Sequence, residues 1–395
     1  MSSQKLSRNV KRIHSSAIRD LLKHSKMEGV ISLGGGIPNP DLFDTEGLQI
    51  AMDRALSQDG HNAFQYGLSE GDPLLREAIC RISADRGIDC TPDDVVVTSG
   101  SQQSLDILAR ALINPGDVVV VERPTYLAAL QVFQLADAQF KSVGTDGEGM
   151  IVDELAELVK QTSIKAVYIV PTFGNPSGVT LSEARRQQLV ALAKQYDFLI
   201  FEDDPYSEIN FTDQTFRPLK SHAQAMGASE NVIYTSTFSK ILAPGARVGW
   251  ITMPGWLKSS VVNLKQATDL HTSALSQSLT RHYLETGRLP EQIRLIRAAY
   301  KQKCDALCAA LETELGDKLH FYRPLGGMFL WATFKEAFNT TEWLKTTLSN
   351  GVVYVPGEFF YCDNPDTSTL RISYASVSET NLALAAQRLK TSLPQ

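Results

Sequence analysis

Lys240 stands in TFSKILAPGARVGW (237–250), a stretch otherwise almost free of charge. Ser239 precedes it, and Ile241, Leu242 and Ala243 follow. An ammonium among apolar neighbours is poorly solvated, and burial lowers its pKa and makes the amine a nucleophile. Four other stretches carry groups that an amine nucleophile needs nearby. Ser99-Gly100-Ser101-Gln102-Gln103 offers hydroxyls, an amide and backbone N–H groups between a strand and a helix, a setting suited to phosphate. Asp203-Asp204-Pro205-Tyr206 follows the apolar run FLIF and one glutamate. Asn175-Pro176-Ser177-Gly178 follows AVYIVP, and Arg371 lies between apolar residues in LRISYA. Each has a plainer reading on its own. Ser101 is a simple helix cap, NPSG a turn, and the two aspartates structural acids. Adjacent acids also suit a metal, but no His or third carboxylate lies nearby in sequence to complete one. Arg371 requires an anion, either a structural acid or a ligand.

These groups must be positioned by a scaffold, and the chain predicts one. Between residues 90 and 255 short apolar runs alternate with amphipathic stretches. Strands are expected at 94–100, 117–124, 166–171, 198–204, 231–237 and 247–253. Their continuous apolar character suits strands buried on both faces. Leu105, Leu108 and Leu112 recur at helical spacing, and 182–196 is a second helix between strands. The pattern implies an α/β fold with a mostly parallel sheet, whose ligands sit at the carboxyl ends of the strands. After residue 285 the texture changes to a long helix at 288–315 and two strands, GGMFLWATF and TLRISYA, in a smaller α+β unit. The expected division is an N-terminal arm (1–45) packing with the small domain, a large domain (46–285) and a small C-terminal domain (286–395).

Composition excludes several classes. The 395 residues are 43% hydrophobic and 21% charged, as in ordinary globular chains. A net charge of −6 argues against a broad nucleic-acid or anionic-membrane surface. No apolar run is long enough to span a membrane, and MSSQKLSRNVKRIHSS lacks a signal peptide's apolar core. The five cysteines are scattered and odd in number, which fits a reducing cytoplasm. Cys304 and Cys308, one helical turn apart, read as small buried hydrophobes rather than metal ligands. No metal is expected.

One chemistry uses all five stretches. An amine, a phosphate cradle, an isolated carboxylate, a hydrogen-bonding Asn and Tyr, and a second anion-binding Arg are what pyridoxal phosphate requires. The chain resembles the fold-type-I, pyridoxal-phosphate-dependent aminotransferases of class I/II. The resemblance rests on ISLGGGIPNP, QYGLSEGDPLLREAI, SGSQQSLD, PTY, NPSG, EDDPY, TFSKILAPGARVGW, GGMFLW, VPG and LRISYA, in that order. Within that family it is most similar to the α-aminoadipate, kynurenine and aromatic aminotransferases. It implies a mostly parallel seven-stranded sheet in the large domain. It also implies an activity, transfer of an amino group from an α-amino acid to a 2-oxo acid such as 2-oxoglutarate, and a homodimer with shared active sites. By resemblance, Lys240 would carry the cofactor covalently and move the substrate proton. Asp203 would face the pyridine nitrogen, and Asn175 and Tyr206 the ring hydroxyl. Tyr126 would stack on the ring, with Pro205 near its other face. Ser101, Gln102, Thr237, Ser239 and Arg247 would hold the phosphate, joined by Tyr66 from the partner protomer. Arg371, with Asn175 and Gly36, would bind the substrate carboxylate. Ser177 and Thr237 depart from the family's usual Thr and Ser, and both keep the hydroxyl.

Two alternatives share these motifs. A C–S β-lyase on the same fold would keep Lys240 and Arg371. A non-enzymatic regulator would need a DNA-binding module, and motifs starting at residue 31 leave no room for one. Substrate choice is expected to rest on Arg19, on a short amphipathic helix with Ile18, Leu21 and Leu22. Turned inward, Arg19 would favour a dicarboxylic donor. Turned out, it would leave an apolar wall including Phe329 and Tyr126. Pairing with Asp20 or Glu28 is the plainer alternative.

Overall fold

The computed structural model describes Ser7, Val10 and residues 27–394. Arg19 and its expected helix lie outside the described residues. The described strands begin with β1 (Ile31–Ser32), and eight more follow before the long helix. These are β2 (Val95–Thr98), β3 (Val118–Arg123), β4 (Gln139–Asp146), β5 (Gly149–Met150), β6 (Ala166–Ile169), β7 (Leu199–Asp204), β8 (Val232–Thr237) and β9 (Gly249–Thr252). Beyond the helix come β10 (Leu319–Phe321), β11 (Phe329–Phe334), β12 (Val352–Val353), β13 (Val355–Pro356) and β14 (Thr369–Ser373).

Strands β2 to β9 form one sheet in the order β2-β9-β8-β7-β6-β3-β4-β5. It has eight strands where seven were expected, because β4 turns back on itself through the two-residue β5. The pairs among β8, β7, β6, β3 and β4 are parallel, and only β9 and β5 run against the rest. Side chains alternate across the sheet. Val119, Val121, Tyr168 and Phe201 enter one apolar core, and Val120, Val167, Ile169 and Ile200 enter another. Burial on both faces accounts for the unbroken apolar runs in the sequence.

The helices follow from local chemistry. Helix Ser101–Leu112 starts after Gly100, whose φ of 83° breaks the strand direction. Its buried stripe, Leu105, Ile107, Leu108 and Leu112, faces the sheet and helix Gly255–Asp269. Helix Leu289–Leu315 begins with Pro290 in its first turn, where a missing N–H costs nothing. Its buried residues Ile296, Tyr300, Cys304, Leu307, Cys308 and Leu311 line the side facing helix Glu379–Thr391. Both cysteines are free thiols inside the apolar core.

The second sheet has the order β10-β11-β14-β13. The N-terminal segment joins this part of the molecule, since β1 pairs with β12 and the Ser373 N–H donates to the Leu33 carbonyl at 2.7 Å. Gly34 to Gly36 thereby run from the second sheet towards the carboxyl ends of β7 and β8. Among the described residues no helix is long and apolar enough to cross a membrane.

Candidate active site

A cavity of about 320 Å³ opens at the carboxyl ends of the parallel strands. Seven chain segments that are far apart in sequence meet there. The β8 strand ends in a tight turn, Phe238–Lys240, which directs Lys240 into the cavity. The Lys240 Nζ donates to the Gly36 carbonyl at 3.1 Å and lies 5.9 Å from the centre of the Tyr206 ring. Burial lowers its pKa to about 8. The Arg371 and Arg247 charges add to the fall, and Asp203 opposes it.

Asp203 and Asp204 are neighbours on β7 and point to opposite faces. Asp203 lines the cavity; it accepts from the Tyr168 hydroxyl and the Thr235 hydroxyl, both at 3.1 Å. Burial pushes its carboxyl up to about 6 against those two hydrogen bonds. Among the described residues no cation lies within ion-pair distance of Asp203. Asp204 belongs to a closed network. It accepts from the Tyr234 hydroxyl at 2.8 Å and from the Ser207 N–H at 3.2 Å, and lies 3.8 Å from Arg86.

Arg371 sits in the middle of β14, buried between β11 and β13. It donates to Asn175 Oδ1 at 2.9 Å and to the Gly34 carbonyl at 2.7 Å. Its guanidinium lies over Phe329 at 4.4 Å and Phe360 at 5.0 Å, and among the described residues its Nε has no hydrogen-bond partner. Among the described residues no carboxylate pairs with it, and burial lowers its pKa to about 10. Tyr126 and Tyr206 also line the cavity, and burial raises both phenols, Tyr126 to about 12.

At the other end stand Ser101, Gln102, Thr237, Ser239 and Arg247. The Ser101 and Gln102 N–H groups belong to a first helical turn and have no partner within the helix. The Thr237 and Ser239 hydroxyls are 2.8 Å apart, and Arg247 donates to Ser239 at 3.4 Å and to the Ser99 carbonyl at 3.1 Å. A side chain at Gly100 would collide with Arg247, whose Nη2 would lie 2.5 Å from its Cβ. Among the described residues no acid pairs with Arg247.

The cavity thus brings together Gly36, Asn175 and Pro205 with the charged groups above. Two expected residues stand elsewhere. Phe329 does not line the cavity; it lies behind Arg371 and edge-on to Tyr206 at 5.9 Å. Tyr66 is 78% exposed on a loop outside the cavity, edge-on to His271. Tyr168 and Thr235, which orient Asp203, escaped the sequence reading because each sits inside an apolar strand run. Leu127, Ala128 and Gln131, on one side of helix Leu127–Leu135, also line the cavity. Their spacing of three and four residues was the available signal.

The residues fit pyridoxal phosphate on their own geometry. A buried carboxylate without a cation matches a protonated ring nitrogen. A depressed lysine matches an aldehyde, and a helix N-terminus with two hydroxyls and an arginine matches a phosphate. Arg371 remains for a carboxylate.

Comparison with known proteins agrees. The family model described as aminotransferase class I and II matches residues 30–389. The aromatic-amino-acid aminotransferase 1 of Thermococcus litoralis is 40% identical over 387 residues, covering 96% of this chain and 92% of that one. The structure of Pyrococcus horikoshii kynurenine aminotransferase in complex with PMP, KYN and KYA superimposes with a TM-score of 0.94 at 37% identity, covering 99% and 97% of the two chains. The α-aminoadipate aminotransferase of Thermus thermophilus, complexed with N-(5'-phosphopyridoxyl)-L-leucine, gives 0.92 at 32% identity, covering 99% and 98%.

Proposed function

Because the chain belongs to the class I and II aminotransferases, we propose that it transfers the amino group of a 2-aminoadipate, aromatic or aliphatic donor to 2-oxoglutarate. It is a pyridoxal-phosphate-dependent transaminase, and the proposal concerns its substrates and the roles of its residues. The observation that carries those roles is the set of charges around one cavity: among the described residues, Asp203 has no paired cation, and Arg247 and Arg371 have no paired acids. Bound pyridoxal phosphate supplies an aldehyde and an electron-accepting ring.

Lys240 attaches the cofactor and then moves the proton at the substrate Cα. A pKa of about 8 leaves about a tenth of its amine unprotonated at pH 7, far more than an ordinary lysine would offer. Asp203 is held rigid by Tyr168 and Thr235, so its charge faces the ring nitrogen without reorganisation. Arg371 takes the substrate carboxylate, braced from behind by Phe329 and Phe360 and from the side by Asn175. Tyr206 and Asn175 serve the ring hydroxyl. Gly36 is small enough to pack on Phe329, where an added Cβ would come within 3.0 Å of the ring.

Leu127, Ala128 and the carboxamide of Gln131 offer a neutral surface to the donor side chain, which supports aromatic and aliphatic donors. A dicarboxylic donor calls on Arg19 for its distal charge. The working unit is a homodimer with Tyr66 reaching the partner's phosphate, and its compartment is the cytoplasm, consistent with five free cysteines. A panel of amino donors against 2-oxoglutarate and pyruvate tests the substrates. Turnover should require the keto acid, with 2-oxoglutarate preferred and glutamate formed. Release of pyruvate and ammonia from cysteine conjugates without a keto acid would instead establish the lyase.

A further inference from the structure

Lys265 is a fully buried cation near the cavity that the roles above do not use. It lies in helix Gly255–Asp269 with no exposed surface. Its Nζ donates to both Asp269 carboxylate oxygens at 2.8 Å, to Gln103 Oε1 at 2.8 Å and to the Thr272 hydroxyl at 3.0 Å. Gln103 in turn accepts from the Ser99 N–H at 2.7 Å and donates through Nε2 to Asp269 at 2.7 Å. The Thr272 hydroxyl closes the network on the Val97 carbonyl of β2 at 3.3 Å.

Ser99 is therefore held at both of its peptide groups. Gln103 takes its N–H, and Arg247 takes its carbonyl. Ser99 leads through Gly100 into Ser101 and Gln102, which open the helix and line the cavity. Burying an ammonium carries a large desolvation cost, and an apolar side chain would pack this helix against its neighbour as well or better. The cation adjoins the one turn whose N–H groups must be aimed at a dianion.

We infer that Lys265, Asp269 and Gln103 are positioning residues for the phosphate end of the cofactor site, fixing Ser99 so that the Ser101 and Gln102 N–H groups converge on the phosphate. The inference rests on the reading of the cavity as the cofactor site. It differs from a purely structural role in one respect: the network should act on the phosphate and not on the ring.

The test compares two ligands on the apoprotein by absorbance titration, pyridoxal phosphate and pyridoxal, which has the same ring and aldehyde without the phosphate. In Lys265→Met the dissociation constant for pyridoxal phosphate should rise on the order of tenfold, as when outer groups that orient metal ligands are removed. Pyridoxal binding should not change. Inorganic phosphate should also compete less well against cofactor uptake by the variant. Gln103→Leu, which leaves the buried charge in place, provides the same comparison should Lys265→Met fold poorly. Parallel losses for both ligands, or none for either, would overturn the inference. A wild-type chain that binds the two ligands alike would instead remove the phosphate site itself, and the inference with it.

Discussion

Asp203 and Asp204 are adjacent and chemically identical, and only their surroundings separate them. Burial raises Asp203 from 3.8 to about 6, so the folded apoprotein loses stability as pH rises between those values and keeps that loss at pH 7. Asp203→Asn removes the cost, so the apoprotein should melt no lower than wild type at pH 7 while transamination falls by orders of magnitude. Asp204→Asn should do the reverse. It weakens acceptance from the buried Tyr234 hydroxyl and leaves Arg86 less compensated, a loss of about 1–3 kcal/mol with turnover largely kept. Thermal melts and turnover of the two variants decide it, and matching phenotypes would mean that the assignment to Asp203 is wrong. The sequence alone favoured Asp203 only by resemblance. It did single out Lys240 and Arg371 as candidates, because a charged group inside an apolar run is conspicuous, whereas Asn175 on its own read as part of a turn. Tyr168, Thr235 and Gln131 were hidden because their partners lie on other strands or across the cavity, and nothing local marks such a contact.

Strand β3 carries its own anomaly, Glu122, buried beside the apolar side chains of the second core. Burial pushes its carboxyl from 4.5 up to about 8, against the Val170 N–H that donates to it at 3.4 Å. The folded state therefore holds a proton that the unfolded state releases between those values, and stability falls as pH rises through that window. Glu122→Gln cannot lose that proton. Its stability relative to wild type should improve by a few kcal/mol between pH 5 and pH 8.5, read from urea unfolding at both values. A constant difference across that range would show Glu122 to be ionised at an ordinary pKa. The strands themselves were legible where both faces are buried, as in β3, β6, β7 and β8. Strand β4 was not anticipated, because Gln139, Lys141 and Asp146 give it a mixed, half-exposed pattern next to the sheet edge. The two-residue β5 turns on Gly149, at φ 87°, and is too short to leave a periodic signal.

At the scale of the whole molecule, the loop around Tyr66 presents apolar surface to solvent. Phe64 is 68% exposed, Tyr66 78% and Leu68 55%, an arrangement that marks an interaction surface. If a second copy covers this loop and Tyr66 serves the partner's phosphate, Tyr66→Phe removes a hydrogen bond to a charged group. That loss is about 1.5–3 kcal/mol of cofactor affinity. Complementation tests the sharing directly. In a mixed dimer of Lys240→Ala and Tyr66→Phe chains, the site built on the Tyr66→Phe chain has an intact Lys240 and receives the hydroxyl of Tyr66 from the other chain. The second site lacks both groups. Co-refolding the two variants at limiting cofactor should therefore restore wild-type cofactor affinity in one of the two sites of each mixed dimer. If Tyr66 acted within its own chain, no mixed site would hold both groups and affinity would stay at the Tyr66→Phe level. Because the Lys240→Ala chain cannot form the covalent link, borohydride reduction followed by mass analysis counts the restored sites without relying on turnover. Absence of restoration in dimers shown by mass to be mixed would refute the shared site.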